Sequence, residues 1–485
     1  MPPPLPLAPT CAPDGWSLLE AGRIEEALAA AQTALALDPE QTLAALVRAR
    51  ALQALGRFEQ AAAAFARVDA LWPRRAGILA SRAQCLAEAD RLVEAEACLR
   101  AALALAPDAA IEANLGAVLA RLERGEEAGR HLRSALRRAP DLREAHRNLA
   151  ALLAYTDPAA AGRHRDAAYR GRPVLVRAAA RPRRRVLVLA SAEAANVPLR
   201  HLLGRDETTL IEWYVDYADT GAPPEACDVA FNAIGDPDLA RPLPAMVRGW
   251  LAARGMRLLN APAAVARTRR DRLGPLLAGI DGVVVPPVLR HRAADGRAAA
   301  ALARAGLDFP VLVRPFASHG GAGVRRITQA GELPETDAYL TSFVDYAGAD
   351  GWFRKYRAIF VGGMAYPYHL AISRHWMVHY WTAGMETDPI RRAEEQRFLA
   401  APEQALGAVA ARALAAIGRR LGLDFAGIDF SVLPDGRLLV FEANAPMLVH
   451  PEPGAMFSYR NDAVARIRAA FAALLDRAAR SRGPS

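Results

Sequence analysis

Between Asp429 and Asn444 the sequence reads DFSVLPDGRLLVFEAN, and this stretch decides the fold of the second half of the chain. Two apolar runs flank the turn signal Pro434-Asp435-Gly436, which predicts a β-hairpin. A hairpin brings the ends of its strands together, and side chains two residues apart on a strand share a face. We therefore expect Asp429, Glu442 and Asn444 to converge. Mg²⁺ binds a few such oxygen ligands and completes its shell with water and phosphate. The alternative is an ordinary hairpin with polar ends.

The composition predicts a folded chain of several domains. Its 485 residues are enough for two to four domains, and 52% of them are apolar. No pair of cysteines has CxxC spacing, so we expect small core residues of a reducing compartment and neither disulfides nor a zinc site. The four are Cys11, Cys85, Cys98 and Cys227. We also expect no signal peptide after Met1 and no membrane span, and hence a cytoplasmic protein.

The net charge of +9 comes almost entirely from arginine, and Lys355 is the only lysine. The basic residues are widely spread and lack interleaved aromatic residues, so we expect no nucleic-acid partner. Their densest cluster, at 181–185, falls in a predicted linker. Lys355 itself has two interpretations: it binds a substrate carboxylate, or it is simply exposed.

Residues 15–165 carry an internal repeat of helical segments. Prolines recur 34, 34 and 33 residues apart, at Pro39, Pro73, Pro107 and Pro140. Alanines recur with the same spacings, at Ala27, Ala61, Ala95 and Ala128. Small residues let paired helices approach closely, and the proline ends each pair.

This period, together with Asn114-Leu115-Gly116, resembles the tetratricopeptide (TPR) repeat. The resemblance implies a helical solenoid with a groove that binds a peptide or a partner protein. A structural or dimerising role fits the repeats equally well, and a non-repeating helical bundle is the alternative fold.

The sequence texture changes at Arg185. Short apolar runs at 186–189 and 229–232 predict strands of a small α/β unit. Further on, residues 309–315 predict a strand that contains Arg314, and the glycine-rich SHGGAGV follows at 318–324. Glycines allow close backbone approach, and successive N–H groups can bind phosphate, although a plain turn is the alternative.

Residues 366–381 are dense in histidine and aromatic side chains. His369 and His379 are candidates for substrate contact or for a general base. A half-buried pair of aromatic strands explains the same residues equally well. A zinc site is disfavoured because no second ligand cluster accompanies them.

The order of these segments resembles the ATP-grasp superfamily over residues 185–475, above all the branch of glutathione synthetase-like and ribosomal-protein-modifying ligases. The resemblance implies ATP and two Mg²⁺ ions, held by Asp429, Glu442 and Asn444. Arg357 would lie near the transferred phosphate. The implied ATP contacts are Arg272, Arg314, Ser318, Gly320, Gly321, the backbone of Phe343 and Val344, and Asp345. Two positions depart from the family: Arg314 replaces a lysine, and Lys355 replaces an aspartate.

The implied activity is an ATP-dependent carboxylate–amine ligase that works through an acyl phosphate, with Arg314 and Arg357 as catalytic residues. Lys355, His369 and His379 are the candidate substrate contacts. The repeats would recruit a peptide or protein substrate. Two alternatives remain: an ATP-grasp kinase, and a TPR scaffold whose ATP-grasp domain senses ATP without catalysis.

The expected fold class is multidomain, an all-α TPR solenoid followed by a small α/β domain and an α+β ATP-grasp fold. The expected divisions are a disordered tail (1–14), TPR repeats (15–170), a basic linker (171–184), the small domain (185–262) and the ATP-grasp domain (263–478).

Overall fold

A computed structural model describes residues 12–154, 156–179, 181–193, 196–204, 207–238, 240–295, 297–316, 323–452 and 454–480. The chain divides into two compact units. The N-terminal unit comprises Met1–Leu187, Ala192–Ala194 and Gly204–Asp228, and the C-terminal unit comprises Val188–Ser191, Ala195–Leu203 and Val229–Ser485.

The N-terminal unit begins with successive helices, each packed against the next. They are α1 (Ala12–Glu20), α2 (Ile24–Leu37), α3 (Thr42–Ala54), α4 (Phe58–Leu71), α5 (Ala76–Glu88), α6 (Leu92–Leu105), α7 (Ala109–Arg121), α8 (Gly125–Arg138), α9 (Arg143–Leu153) and α10 (Pro158–Tyr169). The start of α1 lies within the segment expected to be a tail.

The repeating small residues lie where the helices cross. All four repeat alanines are fully buried, at Ala27, Ala61, Ala95 and Ala128. A Cβ added at Gly116 would lie 2.6 Å from Leu132 Cγ and 3.1 Å from the carbonyl oxygen of Ala128, so α7 and α8 are in close contact there. Each repeat proline lies two residues beyond the end of a helix. The predicted pairing of helices is confirmed.

The turn between the two helices of each pair requires a left-handed backbone. Its φ angle is 73° at Gly22 and 69° at Gly56. The third and fourth pairs have Asp90 and Glu123 there, with φ of 62° and 61°. Glycine adopts this conformation without a steric penalty, whereas a residue with a Cβ is strained.

Three strands follow the helices: β1 (Val174–Arg177), β2 (Arg184–Ala190) and β3 (Thr208–Tyr214). β1 pairs antiparallel with β3, with Val174 opposite Trp213. The predicted linker 171–184 therefore contains a strand. Its apolar run is only three residues long, which is too short for a periodic signal.

The C-terminal unit mixes helices and strands, as the sequence predicts. Its helices are α11 (Leu199–Leu202), α12 (Ala245–Ala252), α13 (Pro262–Arg267), α14 (Arg270–Leu277), α15 (Ala298–Arg304), α16 (Pro389–Ala400), α17 (Pro402–Leu406), α18 (Ala408–Leu421) and α19 (Asn461–Arg480). Its strands are β4 (Val229–Asn232), β5 (Leu258–Leu259), β6 (Val283–Val284), β7 (Val288–His291), β8 (Val311–Pro315), β9 (Arg325–Ile327), β10 (Ala338–Ser342), β11 (Phe353–Val361), β12 (Met364–Ser373), β13 (Phe425–Val432) and β14 (Leu438–Asn444).

Two sheets of this unit position the candidate site. One has the strand order β7-β10-β8-β9, and the other has the order β12-β11-β13-β14-β6. Helices α16, α18 and α19 pack on the second sheet, and α14 contacts both β7 and β14. β13 and β14 form the predicted hairpin, and Gly436 in its turn has a φ of 82°. The hairpin prediction is confirmed.

None of the helices in the described part of the chain is long and apolar enough to cross a membrane. The described cysteines Cys85, Cys98 and Cys227 are buried and form no disulfide. Their predicted place in the cores is confirmed.

Candidate functional site

Four polar side chains form one row across neighbouring strands of the second sheet. His369 on β12 is the partner of Arg357 on β11. Arg357 is in turn the partner of Asp429 on β13, which is opposite Glu442 on β14. The register shifts next to this row on both sides, after Arg357 and after Asp429. Such bulges redirect side chains, and they are common beside functional sites.

Asp429 is the most buried member of the row, with 1% of its side chain exposed. Arg357 donates to it twice, from Nε to Oδ1 at 2.6 Å and from Nη2 to Oδ2 at 2.9 Å. Lys355 lies two residues earlier on β11 and places Nζ 3.0 Å from Oδ2. Burial acts to raise the pKa of Asp429, but Arg357 and Lys355 together hold it well below its usual range. Asp429 is therefore an anion held by two cations.

Glu442 has its own cationic partner, from outside the sheet. Arg270, in the first turn of α14, forms an ion pair with Glu442 Oε2. Burial opposes ionisation of Glu442, but the guanidinium of Arg270 holds its pKa below the usual range. Asn444 lies two residues along β14, on the face of Glu442.

The predicted contact on α14 was Arg272, which is exposed. Positions two residues apart on a helix differ by about 200° in direction, so Arg270 and Arg272 lie on nearly opposite faces. The sequence has arginines at 267, 269, 270 and 272, and sequence reasoning did not select Arg270 among them. Only the packing of α14 against β14 identifies it.

Arg314 on β8 is the remaining cation of the site. Val311 and Val313 point into the core beneath β8, and Arg314 is on the opposite face, partly buried. Among the described residues it forms no ion pair with a carboxylate. Burial, followed by the charge of Arg270, lowers the pKa of Arg314 to about 10, while the charges of Glu442 and Asp429 act in the opposite direction.

The site therefore contains more positive than negative charge. Among the described residues, the site has two carboxylates, those of Asp429 and Glu442. It has four cationic side chains: Arg270, Arg314, Lys355 and Arg357. Cations held out of water are costly unless they are neutralised. The arrangement can bind a multiply charged anion.

The donor set suits a divalent cation at one end of the row. Glu442 Oε1 and the amide of Asn444 make no hydrogen bond to any described residue, and these are hard oxygen ligands. Asp429 is different, because Arg357 and Lys355 already occupy Oδ2. Among the described residues, no cluster of three or more His, Cys, Asp or Glu side chains is arranged to hold a metal ion.

The structure describes only some of the other predicted ATP contacts. Ser318, Gly320 and Gly321 lie outside the described residues. The backbone N–H of Phe343 donates to the carbonyl of Pro310 at 2.9 Å. Asp345 is exposed and accepts from the N–H of Ala347 at 3.0 Å. Val344 is partly buried behind the core of this unit. These assignments stay predictions.

His369 continues the row into a buried polar cluster. It is 5% exposed and lies between the rings of Tyr368 and Tyr380, with centroids 5.2 and 4.8 Å away. Its Nδ1 has no hydrogen-bond partner among the described atoms. Burial, followed by the charge of Arg357, lowers its pKa well below the usual range, so the ring is neutral.

Glu395 and Arg460 form the rest of this cluster, and sequence reasoning missed both. Glu395 is fully buried and accepts from Tyr459 at 2.6 Å and from Tyr380 at 3.2 Å. Arg460, 3% exposed, pairs with Glu452 at 2.6 Å. Glu395 lies in a helix segment of charged residues, so the sequence carries no signal that distinguishes it from its solvated neighbours. His379 lies farther along, before the turn Tyr380–Thr382, and its role stays a prediction.

The tetratricopeptide repeat family model matches residues 14–76 and 46–110. Among solved structures, MamA from Desulfovibrio magneticus RS-1 is 23% identical (TM-score 0.30, 31% of this chain and 86% of that chain). YrrB, described as a TPR protein with an unusual peptide-binding site, is 20% identical (TM-score 0.29, 32% and 80%). PilF from Pseudomonas aeruginosa is 24% identical (TM-score 0.30, 32% and 72%). The curated proteins gave no match. By the family model, the N-terminal region contains tetratricopeptide repeats over residues 14–110, and a mixed α/β region follows the helices.

Proposed function

We propose that the C-terminal unit binds ATP and that the chain is an ADP-forming carboxylate–amine ligase of the ATP-grasp type. The excess of cations around Asp429 and Glu442 carries this proposal. A triphosphate supplies the missing negative charge, and its oxygens match the paired donors of arginine. The order of segments along the chain supports the same assignment.

Arg314 is the first phosphate ligand in this proposal, because it has no carboxylate partner among the described residues. Arg357 uses two of its five N–H donors on Asp429, and the other three can reach a phosphoryl oxygen. Arg270 pairs with Glu442, and its charge acts on Arg314. Glu442 and Asn444 would hold Mg²⁺, which neutralises phosphate charge during phosphoryl transfer.

The proposed reaction has two steps. A substrate carboxylate oxygen attacks the γ-phosphorus, the bond to the β–γ bridging oxygen breaks, and ADP leaves. An amine then attacks the acyl phosphate carbon, phosphate leaves, and the amine proton passes to solvent. Arg314 and Arg357 offset the negative charge that develops on the phosphoryl oxygens.

His369 is better suited to positioning substrate than to acting as the base. A base whose pKa lies well below the working pH accepts protons weakly. Its buried and unpartnered Nδ1 instead offers a hydrogen bond to a bound carboxylate or amine.

The repeats provide the proposed route by which a peptide or protein substrate reaches the chain. This part rests on the match of the family model to residues 14–110 and on the general use of such solenoids as binding surfaces.

A second candidate is a scaffold whose C-terminal unit senses nucleotide without catalysis. The engagement of Asp429 by both Arg357 and Lys355 favours it, because a carboxylate held this way is a poor metal ligand.

The test measures ADP release by the full chain. Amino acids, peptides and proteins are screened in pairs, one supplying the carboxylate and the other the amine. A ligase gives sustained ADP release and an amide product by mass spectrometry, whereas a kinase gives a phosphoester. Glu442→Gln should lower the rate by roughly a hundredfold or more, and the exposed Glu403→Gln should not. An unchanged rate in Glu442→Gln, or no turnover with any pair, contradicts a ligase centred on this site.

A further inference from the structure

We infer that the ammonium group of Lys355 replaces one of the two metal ions at the nucleotide site, so that a single divalent ion accompanies the nucleotide. The inference rests on the proposed function and goes beyond it, because the resemblance implies two ions. It concerns the one lysine of the chain.

The sheet geometry brings Lys355 to Asp429. Arg357 is directly opposite Asp429 in the register, and Lys355 lies two residues earlier on the same face of β11. A diagonal neighbour in a sheet is within reach of a long side chain. Lysine spans that distance, and its Nζ lies 3.0 Å from Oδ2.

The contacts of the two carboxylate oxygens show how Asp429 is occupied. Oδ2 accepts a hydrogen bond from Arg357 Nη2 at 2.9 Å, and Lys355 Nζ lies 3.0 Å from the same oxygen as an ion pair. Oδ1 accepts a hydrogen bond from Arg357 Nε at 2.6 Å. Both oxygens of a side chain that is 1% exposed are therefore already in contact with a cation.

Charge repulsion adds to this occupancy. A Mg²⁺ ion binds a carboxylate oxygen at about 2.1 Å, so an ion on Oδ2 would lie no more than about 5 Å from the ammonium of Lys355. The guanidinium of Arg357 contacts both oxygens of the same carboxylate. Two fixed positive charges thus already take the place of the cation at Asp429, whereas Glu442 Oε1 and Asn444 remain available for one ion.

The count of bound Mn²⁺ tests this inference without any turnover. The full chain is saturated with a non-hydrolysable ATP analogue, and electron paramagnetic resonance measures free Mn²⁺ during a titration. We expect one protein-bound Mn²⁺ per bound nucleotide in the wild type. Lys355→Met, which removes the charge and keeps the length, should bind two. Lys355→Arg keeps the charge and should bind one.

Arg437→Ala is the matched control, because it removes an arginine from an exposed ion pair in the hairpin turn of the same sheet. It should bind one ion. Two ions in the wild type overturn the inference, whatever the variants do. One ion in a Lys355→Met chain that still binds nucleotide also overturns it. If the wild type binds no nucleotide, the proposed function itself fails and the inference fails with it.

Discussion

The two units use their interiors in opposite ways. The repeats bury small apolar side chains at every helix crossing and leave their ion pairs near the surface. Arg124 and Glu127, for example, are 44% and 22% exposed. The second sheet of the C-terminal unit instead buries a row of charge, with Asp429 1% exposed. Close packing explains the small side chains in the repeats. Burial of charge in the sheet costs folding stability, and a ligand-binding role explains why it is present.

The sharpest way to break this comparison is Arg357→Ala. Among the described residues, it leaves the buried Asp429 with Lys355 as its only ion-pair partner, and breaking a buried ion pair costs about 3–5 kcal/mol of unfolding free energy. Urea denaturation followed by circular dichroism measures the change. Arg437→Ala, which removes an exposed pair, should remain close to wild type. Similar losses in both variants would mean that the row is not a strongly coupled charge cluster.

Gly116→Ala tests close packing in the repeats. Its new Cβ would lie 2.6 Å from Leu132 Cγ and 3.1 Å from the carbonyl oxygen of Ala128, so the Leu132 side chain or the two helices must shift. Overpacking of this kind costs about 1–3 kcal/mol. Gly77→Ala on α5 is the control, because no atom lies within 4 Å of its added Cβ. Gly77→Ala should be neutral or stabilising, and a loss equal to that of Gly116→Ala would refute the packing argument.

The pH dependence of stability should reveal His369. Its pKa is lowered on folding, so between that value and its unfolded pKa of about 6.5 only the unfolded chain binds the proton. Stability therefore falls as the pH drops below 6.5, by about 1.4 kcal/mol per pH unit from this residue. His369→Gln should flatten the fall in urea denaturation between pH 7.5 and 5.5. The exposed His375→Gln should not, and identical pH profiles for all three chains would exclude a buried neutral His369.

The smallest effect is expected at Glu123→Gly. Relief of the left-handed strain, about 1–2 kcal/mol, exceeds the entropic cost of glycine, about 0.4–1 kcal/mol. We expect a gain of about 0.5–1 kcal/mol, seen as a rise of a few degrees in the melting temperature. Glu126→Gly, within the first turn of α8, should lower it. A lower melting temperature in Glu123→Gly would show that the Glu123 side chain stabilises the fold by more than its left-handed backbone destabilises it.

The repeats could be predicted because their signals are local. A proline and an alanine in each period define a helix pair without knowledge of any other part of the chain. The hairpin of β13 and β14 was predictable for the same reason. Its convergence of Asp429 with Glu442 follows from strand pairing alone.

The partners of these carboxylates could not be predicted in the same way. Arg270 is 172 residues from Glu442, and Arg357 is 72 residues from Asp429. Helix spacing could not distinguish Arg270 from Arg272, since only the packing of α14 decides between their faces. The buried Glu395 lies in a run of charged residues that reads as solvated, and the two bulges beside the row have no sequence signature.

Nucleotide binding measured by calorimetry tests the central claim most directly. Wild type should bind a non-hydrolysable ATP analogue with Mg²⁺, and Arg314→Ala should weaken binding about tenfold or more, because a charge-assisted hydrogen bond contributes about 1.5–3 kcal/mol. Arg325→Ala, on the neighbouring strand and exposed, should bind like wild type. No binding by the wild type at millimolar nucleotide, or equal weakening by both variants, would contradict the account.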